Sequence, residues 1–187
     1  MSPSHIGLDV NLVKRLRIDE TKVFELGSPA VTSVRRPLYN NLHRMATIPK
    51  VLHEHINSAF PANVCLVATV LPNGFAQVTP RGSTMVFDDG HLALWERGKG
   101  TTNAYLKDGT KITVFFRKPQ LRETGVLPKG GIARFYGTAA IHKSGAVYEK
   151  IWERLIQPEK DRDPEKKGFG VLITIERAED LDGAPLV

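Results

Sequence analysis

Apolar residues recur at strand and helix spacings through most of the chain, from about residue 45 onward. The run 64–71 is nearly continuous in apolar residues, which predicts a strand buried on both faces. Pro72-Asn73-Gly74 predicts a turn after it, because Asn-Gly supplies the positive φ that a tight hairpin requires. The chain then returns over 75–79, and Asp88-Asp89-Gly90 predicts a second hairpin farther on. Consecutive hairpins of this kind indicate an antiparallel sheet.

The remaining apolar segments extend the sheet and add helices to it. Further strands are predicted over 84–87, 91–96, 112–116, 131–142 and 171–176. A helix is predicted to begin at Pro49. Its apolar face would consist of Val51, Leu52, His55, Ile56 and Ala59. Helical spacing recurs over 144–155, and 101–107 can form a shorter helix. Six or seven strands with two or three helices predict a mainly β (β+α) fold, an antiparallel barrel with flanking helices.

Residues 1–44 differ from the rest in their spacing of apolar residues. Apart from one short helix-like piece, they read as an extended segment interrupted by Ser28-Pro29 and Arg36-Pro37. We therefore predict an N-terminal arm or extension over 1–44 and one barrel domain over 45–187. The arm is expected either to pack across a dimer or to be dispensable.

Composition narrows the class of protein. The chain has 187 residues, of which 41% are hydrophobic and 25% charged, as in an ordinary globular protein. It contains no signal-peptide pattern and no apolar run of about 20 residues, so a cytoplasmic protein without a membrane span is expected. The net charge of +6 is scattered rather than arranged in a stripe, which argues against nucleic-acid binding and favours small anionic ligands.

Two clusters of cations, hydroxyls and small residues have the composition of a phosphate site. The first cluster is Arg81, Ser83 and Thr84. The second, about one hairpin later, is Lys99, Thr101 and Thr102. An arginine can bind phosphate through two parallel hydrogen bonds, and hydroxyls and helix-start amides donate further ones. Glycines at 98 and 100 would let a ligand approach the backbone closely. The alternative is that the second cluster is only a loop and helix cap, with Arg81 on a solvated rim.

Other polar residues do not form a catalytic or metal-binding set. His53 and His55 are two apart, whereas a helical zinc motif needs histidines four apart. No Gly-x-Ser-x-Gly motif is present. Asp161 and Asp163 are expected to be solvated in a charged loop. No metal is predicted and the catalytic residues stay unknown, so any chemistry is expected to come from a cofactor.

Four residues have competing interpretations. Cys65 lies in an apolar run and is expected to be a buried structural thiol. Trp95 packs either beside a flavin or in the barrel, and the barrel is the favoured interpretation. Trp152 either packs in the core or an interface, or covers an aromatic ligand. Arg134 binds a phosphate or carboxylate, or makes a structural ion pair.

The chain resembles the pyridoxamine 5'-phosphate oxidase-like, FMN-binding split-barrel family over residues 48–181. The resemblance is carried by the segment 67–74, the Arg81 strand, the loop 99–106, the strand 113–116 and the segment 133–139. The resemblance implies an antiparallel six-stranded split barrel with flanking helices. It also implies a homodimer that holds FMN in two grooves at the subunit interface.

The resemblance further implies roles for particular residues. Arg81, Ser83 and Thr84 would lie along the ribityl chain and phosphate, and Lys99, Thr101 and Thr102 would hold the phosphate. The backbone of Thr79, Pro80, Arg81 and Gly82 would face the isoalloxazine ring, and Trp152 is a candidate contact from the partner subunit. An FMN-dependent oxidoreductase acting on a small molecule is the implied function. The alternatives are a non-catalytic flavin or haem carrier and a deazaflavin-dependent reductase on the same fold.

The chain also departs from the oxidase of that family. Gly100-Thr101-Thr102 stands where a Ser-Arg-Lys type run is common, with the lysine displaced to Lys99. A C-terminal Trp-Gly-Gly-x-Arg type segment is lacking, so pyridoxamine phosphate is not the expected substrate.

Overall fold

One antiparallel sheet dominates the fold. The computed structural model describes residues 46–100 and 104–186, so Thr101, Thr102 and the arm over 1–44 lie outside the described residues. The strands are β1 (Cys65–Val70), β2 (Ala76–Arg81), β3 (Met85–Asp88), β4 (His91–Glu96), β5 (Lys111–Arg117), β6 (Ile132–His142) and β7 (Phe169–Glu179). The helices are α1 (Lys50–Asn57), α2 (Gln120–Glu123), α3 (Ala146–Glu153) and α4 (Gln157–Lys160).

The order of the strands places β2 and β3 at the two edges of the sheet. The order is β2-β1-β5-β6-β7-β4-β3, and each neighbouring pair is antiparallel. The predicted mainly β class with flanking helices is therefore confirmed, with seven strands among the described residues instead of six. The one-turn helices α2 and α4 were not predicted, because four residues are too few to show a helical period.

The core lies on one face of the sheet, where alternate residues of the strands are buried. In β5 these are Ile112, Val114 and Phe116, and in β6 Phe135 is completely buried. Burying side chains of this size stabilises the fold by roughly 1.5–3 kcal/mol each. Cys65 is 1% exposed, which confirms the predicted buried thiol, and burial raises the pKa of this thiol to about 12.

Strand β1 corrects one expectation. Its residues alternate between buried and partly exposed, with Val70 71% exposed, so in the described chain it is covered on one face only. The continuous apolar run led to the wrong prediction because its residues alternate between two surfaces, the core and an outward apolar face. On the neighbouring edge strand β2, Val78 also lies on the outward face and is 56% exposed.

Helix α1 begins directly after Pro49, as predicted, and buries Leu52 and Ile56. Val51, which was predicted on the same face, is 54% exposed. At 100° per residue, Val51 lies too far from the line joining Leu52 and Ile56 to reach the core. None of the described helices is long and apolar enough to cross a membrane.

Candidate functional site

A buried ion pair joins the ends of β2 and β4. Nη2 of Arg81 lies 2.5 Å from Oε2 of Glu96, whose side chain is 1% exposed. The arginine side chain is 12% exposed, so the ion pair is largely shielded from solvent. Arg81 is thus neither the solvated rim residue of one interpretation nor a guanidinium without a counter-ion. The acidic partner was missed because β4 is almost entirely buried and its sequence shows no alternation that would single out Glu96.

The same carboxylate holds the start of the basic loop. The backbone N–H of Gly98 donates a hydrogen bond of 3.1 Å to Oε1 of Glu96. The two clusters predicted from sequence, at Arg81 and at the loop of Lys99, are therefore brought together through one residue that belongs to neither. Two cations follow Glu96 closely in sequence: Arg97, which is half-buried, and Lys99, which is exposed.

Two of the predicted hydroxyl ligands, Ser83 and Thr84, already have partners within the chain. The Ser83 hydroxyl donates to the carbonyl oxygen of Trp95 at 3.1 Å and accepts from the Trp95 backbone N–H at 3.2 Å. The Thr84 hydroxyl donates to the carbonyl oxygen of Arg81 at 3.0 Å. Both residues are buried. These bonds tie the turn between β2 and β3 to β4 and give it a defined shape.

The other predicted residues of this segment lie on different surfaces. Thr79 is half-buried on the same face of β2 as Arg81, whereas Pro80 is exposed on the opposite face. Gly82 packs against its own chain: an added Cβ would lie 2.7 Å from Oε1 of Glu159 and 2.8 Å from the ring of Phe60. The side of Gly82 that a Cβ would occupy is therefore closed to a ligand.

Polar atoms without hydrogen-bond partners occur along the inner row of β2. In this edge strand the residues facing the core side are Gln77, Thr79 and Arg81, opposite buried residues of β1. Oε1 of Gln77 and Nε of Arg81 are buried and have no hydrogen-bond partner among the described residues. An acceptor and a donor in one row fit a ligand with hydroxyl and phosphate groups, because buried polar groups are normally satisfied.

A cavity of about 230 Å³ adjoins the turn between β2 and β3. Gly82, Ser83 and Thr84 line it together with Arg154. Arg154 donates to the carbonyl oxygens of Val86 and Phe87, so it also caps the outer edge of β3. Cofactor sites typically have volumes of about 300–1,000 Å³, so this cavity is smaller than such a site. A whole flavin at this turn would therefore need a further wall.

Behind the ion pair lies an aromatic cluster. Trp95 is 1% exposed, as predicted, and its ring centroid lies 4.9 Å from that of Trp152 and 5.1 Å from that of Tyr148. Trp152 is half-buried, and Nζ of Lys166 lies 5.5 Å from its ring centroid. Within the described chain Trp152 therefore packs in the core, which was one of its two interpretations.

Asp163 corrects the expectation of a solvated loop residue. It is 9% exposed and accepts a hydrogen bond of 2.8 Å from Nε1 of Trp95. The backbone N–H groups of Lys167 and Gly168 donate to it as well. Burial acts to raise the pKa of Asp163, but these hydrogen bonds and the charge of Arg97 outweigh burial and lower it. The charged residues around Asp163 in the sequence indicated a solvated loop, so its role as a buried hydrogen-bond acceptor was not predicted.

Arg134 binds the backbone of the segment that follows β7. Its Nη2 donates to the carbonyl oxygens of Asp180 and Leu181, at 2.7 and 2.8 Å. No ion pair to Arg134 occurs among the described residues, and its buried Nε has no hydrogen-bond partner there.

The chain is similar to several solved structures. The HupZ protein of Group A Streptococcus is 28% identical, with a TM-score of 0.55, over 75% of this chain and 99% of that chain. A proposed pyridoxamine 5'-phosphate oxidase from Lactobacillus delbrueckii is 22% identical, with a TM-score of 0.49, over 72% of this chain and 95% of that chain. An FMN-binding protein from Syntrophomonas wolfei is 14% identical, with a TM-score of 0.45, over 73% of this chain and 89% of that chain.

The chain has the pyridoxamine 5'-phosphate oxidase-like split-barrel fold. The match takes in nearly the whole HupZ chain and three quarters of this chain, and the resemblance noted from sequence is confirmed at the level of the fold. No protein-family model matches the chain, and no curated protein matches it significantly. Split-barrel membership identifies a scaffold, and the ligand has to be inferred from the residues of this chain.

Proposed function

We propose that this split-barrel protein binds FMN, with the flavin phosphate near Arg81 and the loop of Lys99. The observation that carries the proposal is the convergence of these two segments at Glu96. The buried atoms of Gln77 and Arg81 that have no hydrogen-bond partner among the described residues provide the row along which a ribityl chain would be accommodated. Thr101 and Thr102 are proposed as further phosphate ligands from the sequence alone.

We further propose that the protein is an oxidoreductase acting on a small molecule. Bound FMN supplies the electron and hydride transfer that the side chains of the chain cannot perform. The residues of the site bind and orient: Arg81 and Lys99 attract the phosphate, while the turn 82–84 is held rigid by its hydrogen bonds to β4 and β2. The described polar residues are mostly engaged with one another, which agrees with positioning rather than acid–base catalysis.

A homodimer is proposed because an apolar surface remains outside the barrel. Phe75, Val78 and Val70 are 73%, 56% and 71% exposed, and they occupy β1, β2 and the turn between them. On the edge strand β2 the polar residues face inward and the apolar ones outward, the reverse of a solvated edge. Contiguous exposed apolar residues of this kind mark association surfaces.

Replacing Val78 with Asp is expected to convert the dimer to a monomer, since a charge would be buried at the centre of this surface. Light scattering coupled to size exclusion measures the mass directly. Val51→Asp is the matched control, because Val51 is 54% exposed on α1 and should leave the dimer intact. A dimer that survives Val78→Asp would show that copies associate through another face.

Titration with FMN tests the proposed ligand. We expect the flavin visible bands to shift on binding and the affinity to fall about 10- to 100-fold in Arg81→Ala, because a charge-assisted hydrogen bond contributes about 1.5–3 kcal/mol. Arg122→Ala, an exposed arginine on α2, serves as the control and should bind like the wild type. Equal affinities of the wild type and Arg81→Ala would place the flavin phosphate elsewhere, and failure of the wild type to bind FMN would refute the proposed function.

A further inference from the structure

We propose that Glu96 is a specificity-determining residue, which sets the net charge that the site presents to the phosphate group. This inference rests on the proposed function and concerns the same site. Glu96 is buried, and its partners among the described residues are the guanidinium of Arg81 and the N–H of Gly98. One carboxylate therefore determines both the position and the effective charge of the arginine assigned to the anion.

The ion pair sets the net charge of the inner part of the site to zero. Arg81 contributes one positive charge and Glu96 cancels it at a contact distance of 2.5 Å. Because both side chains are largely removed from water, solvent screens this cancellation weakly. A phosphate that approaches Arg81 is also repelled by Glu96. Lys99, the exposed cation of the adjoining loop, adds to the attraction for the anion.

Because the charge of Arg81 is neutralised, the site favours ligands that make contacts along β2 as well as through their phosphate. Ligands that bind through the phosphate alone are disfavoured. A site with an unopposed buried arginine would bind any phosphate monoester tightly. A neutralised arginine contributes less to phosphate affinity, so the remaining contacts along β2 must select the ligand. Discrimination between FMN and riboflavin, which differ only by the phosphate, measures the charge of the site. The quantity is the ratio of the riboflavin Kd to the FMN Kd.

Two single variants and their combination separate charge from shape. Glu96→Gln keeps the side-chain size and an acceptor for Gly98 but leaves a net charge of +1, so the ratio should rise about tenfold. Arg81→Gln leaves a net charge of −1, so the ratio should fall about tenfold. The double variant restores zero and should lie within about threefold of the wild type. Glu165→Gln, which breaks an exposed ion pair with Lys167, is the control and should leave the ratio unchanged.

A purely structural role for Glu96 predicts a different pattern. Glu96→Gln would then weaken riboflavin and FMN equally and leave the ratio unaltered, which would overturn the proposal. A double variant that behaved like Arg81→Gln would overturn it as well. Glu96→Gln leaves a buried guanidinium without its counter-ion and can fail to fold. In that case the neutral double variant, compared with Arg81→Gln, decides between the two roles.

The experiment also separates this inference from the proposed function. If the wild type binds neither flavin, the proposed function fails. Inorganic phosphate then becomes the probe, and isothermal titration calorimetry measures its affinity. An affinity for phosphate that rises in Glu96→Gln and falls in Arg81→Gln would still support the role of Glu96. The absence of phosphate binding to the wild type and to Glu96→Gln would refute this inference too.

Discussion

Replacing Asp163 with Ala is expected to lower the free energy of unfolding by about 3–5 kcal/mol, because three hydrogen-bond donors lose their acceptor. These donors are the indole N–H of Trp95 and the backbone N–H groups of Lys167 and Gly168. The indole is buried against the aromatic cluster and has no route to water. The loop that follows α4 would lose its attachment to β4, next to the proposed site. Urea unfolding at pH 7 measures the difference.

Asp161 provides a matched control two residues away. It is exposed and accepts one hydrogen bond, from Nε2 of Gln157, so Asp161→Ala should cost less than about 0.5 kcal/mol. Equal effects of the two substitutions would show that burial of Asp163 contributes nothing measurable.

The stability difference should also depend on pH. The pKa of Asp163 is lowered in the folded protein from its ordinary value of 3.8. A lowered folded-state pKa contributes stability above the ordinary value, and this contribution is lost as the pH falls through the folded-state pKa. The gap between the wild type and Asp163→Ala should therefore narrow below about pH 4, whereas a gap that widened with acid would contradict the assigned direction.

Replacing Gly137 with Ala is expected to cost about 3 kcal/mol or to prevent folding, because the backbone leaves no room for a methyl group. A Cβ there would lie 2.3 Å from the carbonyl oxygen of Thr174 and 2.8 Å from Cγ2 of Ile173. Gly137 also stands where the register between β6 and β7 shifts, next to Tyr136. The neighbouring strand would have to move in the middle of the sheet. Loss of soluble protein, or a lowered urea midpoint, reports this effect.

Gly74→Ala separates steric overlap from backbone strain. Gly74 has a φ of 84°, but nothing lies within 4 Å of an added Cβ. Only the left-handed conformation is then penalised, by about 1–2 kcal/mol. A larger loss in Gly74→Ala than in Gly137→Ala would mean that β6 and β7 can separate more easily than their packing indicates.

Local sequence patterns were enough to predict most of the fold. Asn73-Gly74 and Asp89-Gly90 predicted both hairpins correctly, because φ preferences and turn chemistry act between residues that are close in the chain. The helix after Pro49 and the strands β5 and β6 were predicted for the same reason, since one buried face imposes a regular period. The loop near Lys99 was likewise predicted to be basic from its composition alone, because the charge of a segment can be read without knowing what surrounds it.

Tertiary structure alone decided which polar residues are paired. Glu96 lies at the end of a strand that is buried on both faces, so periodicity could not distinguish it from its neighbours. Its partner Arg81 is distant in sequence, and Asp163 is 68 residues from Trp95, to which it is hydrogen-bonded. Turn and period signals extend over a few residues, whereas the burial and charge of a site depend on segments that only the folded sheet brings together. The apolar run of β1 predicted a strand, but only the order of strands in the sheet showed that one of its faces lies open to solvent in the described chain.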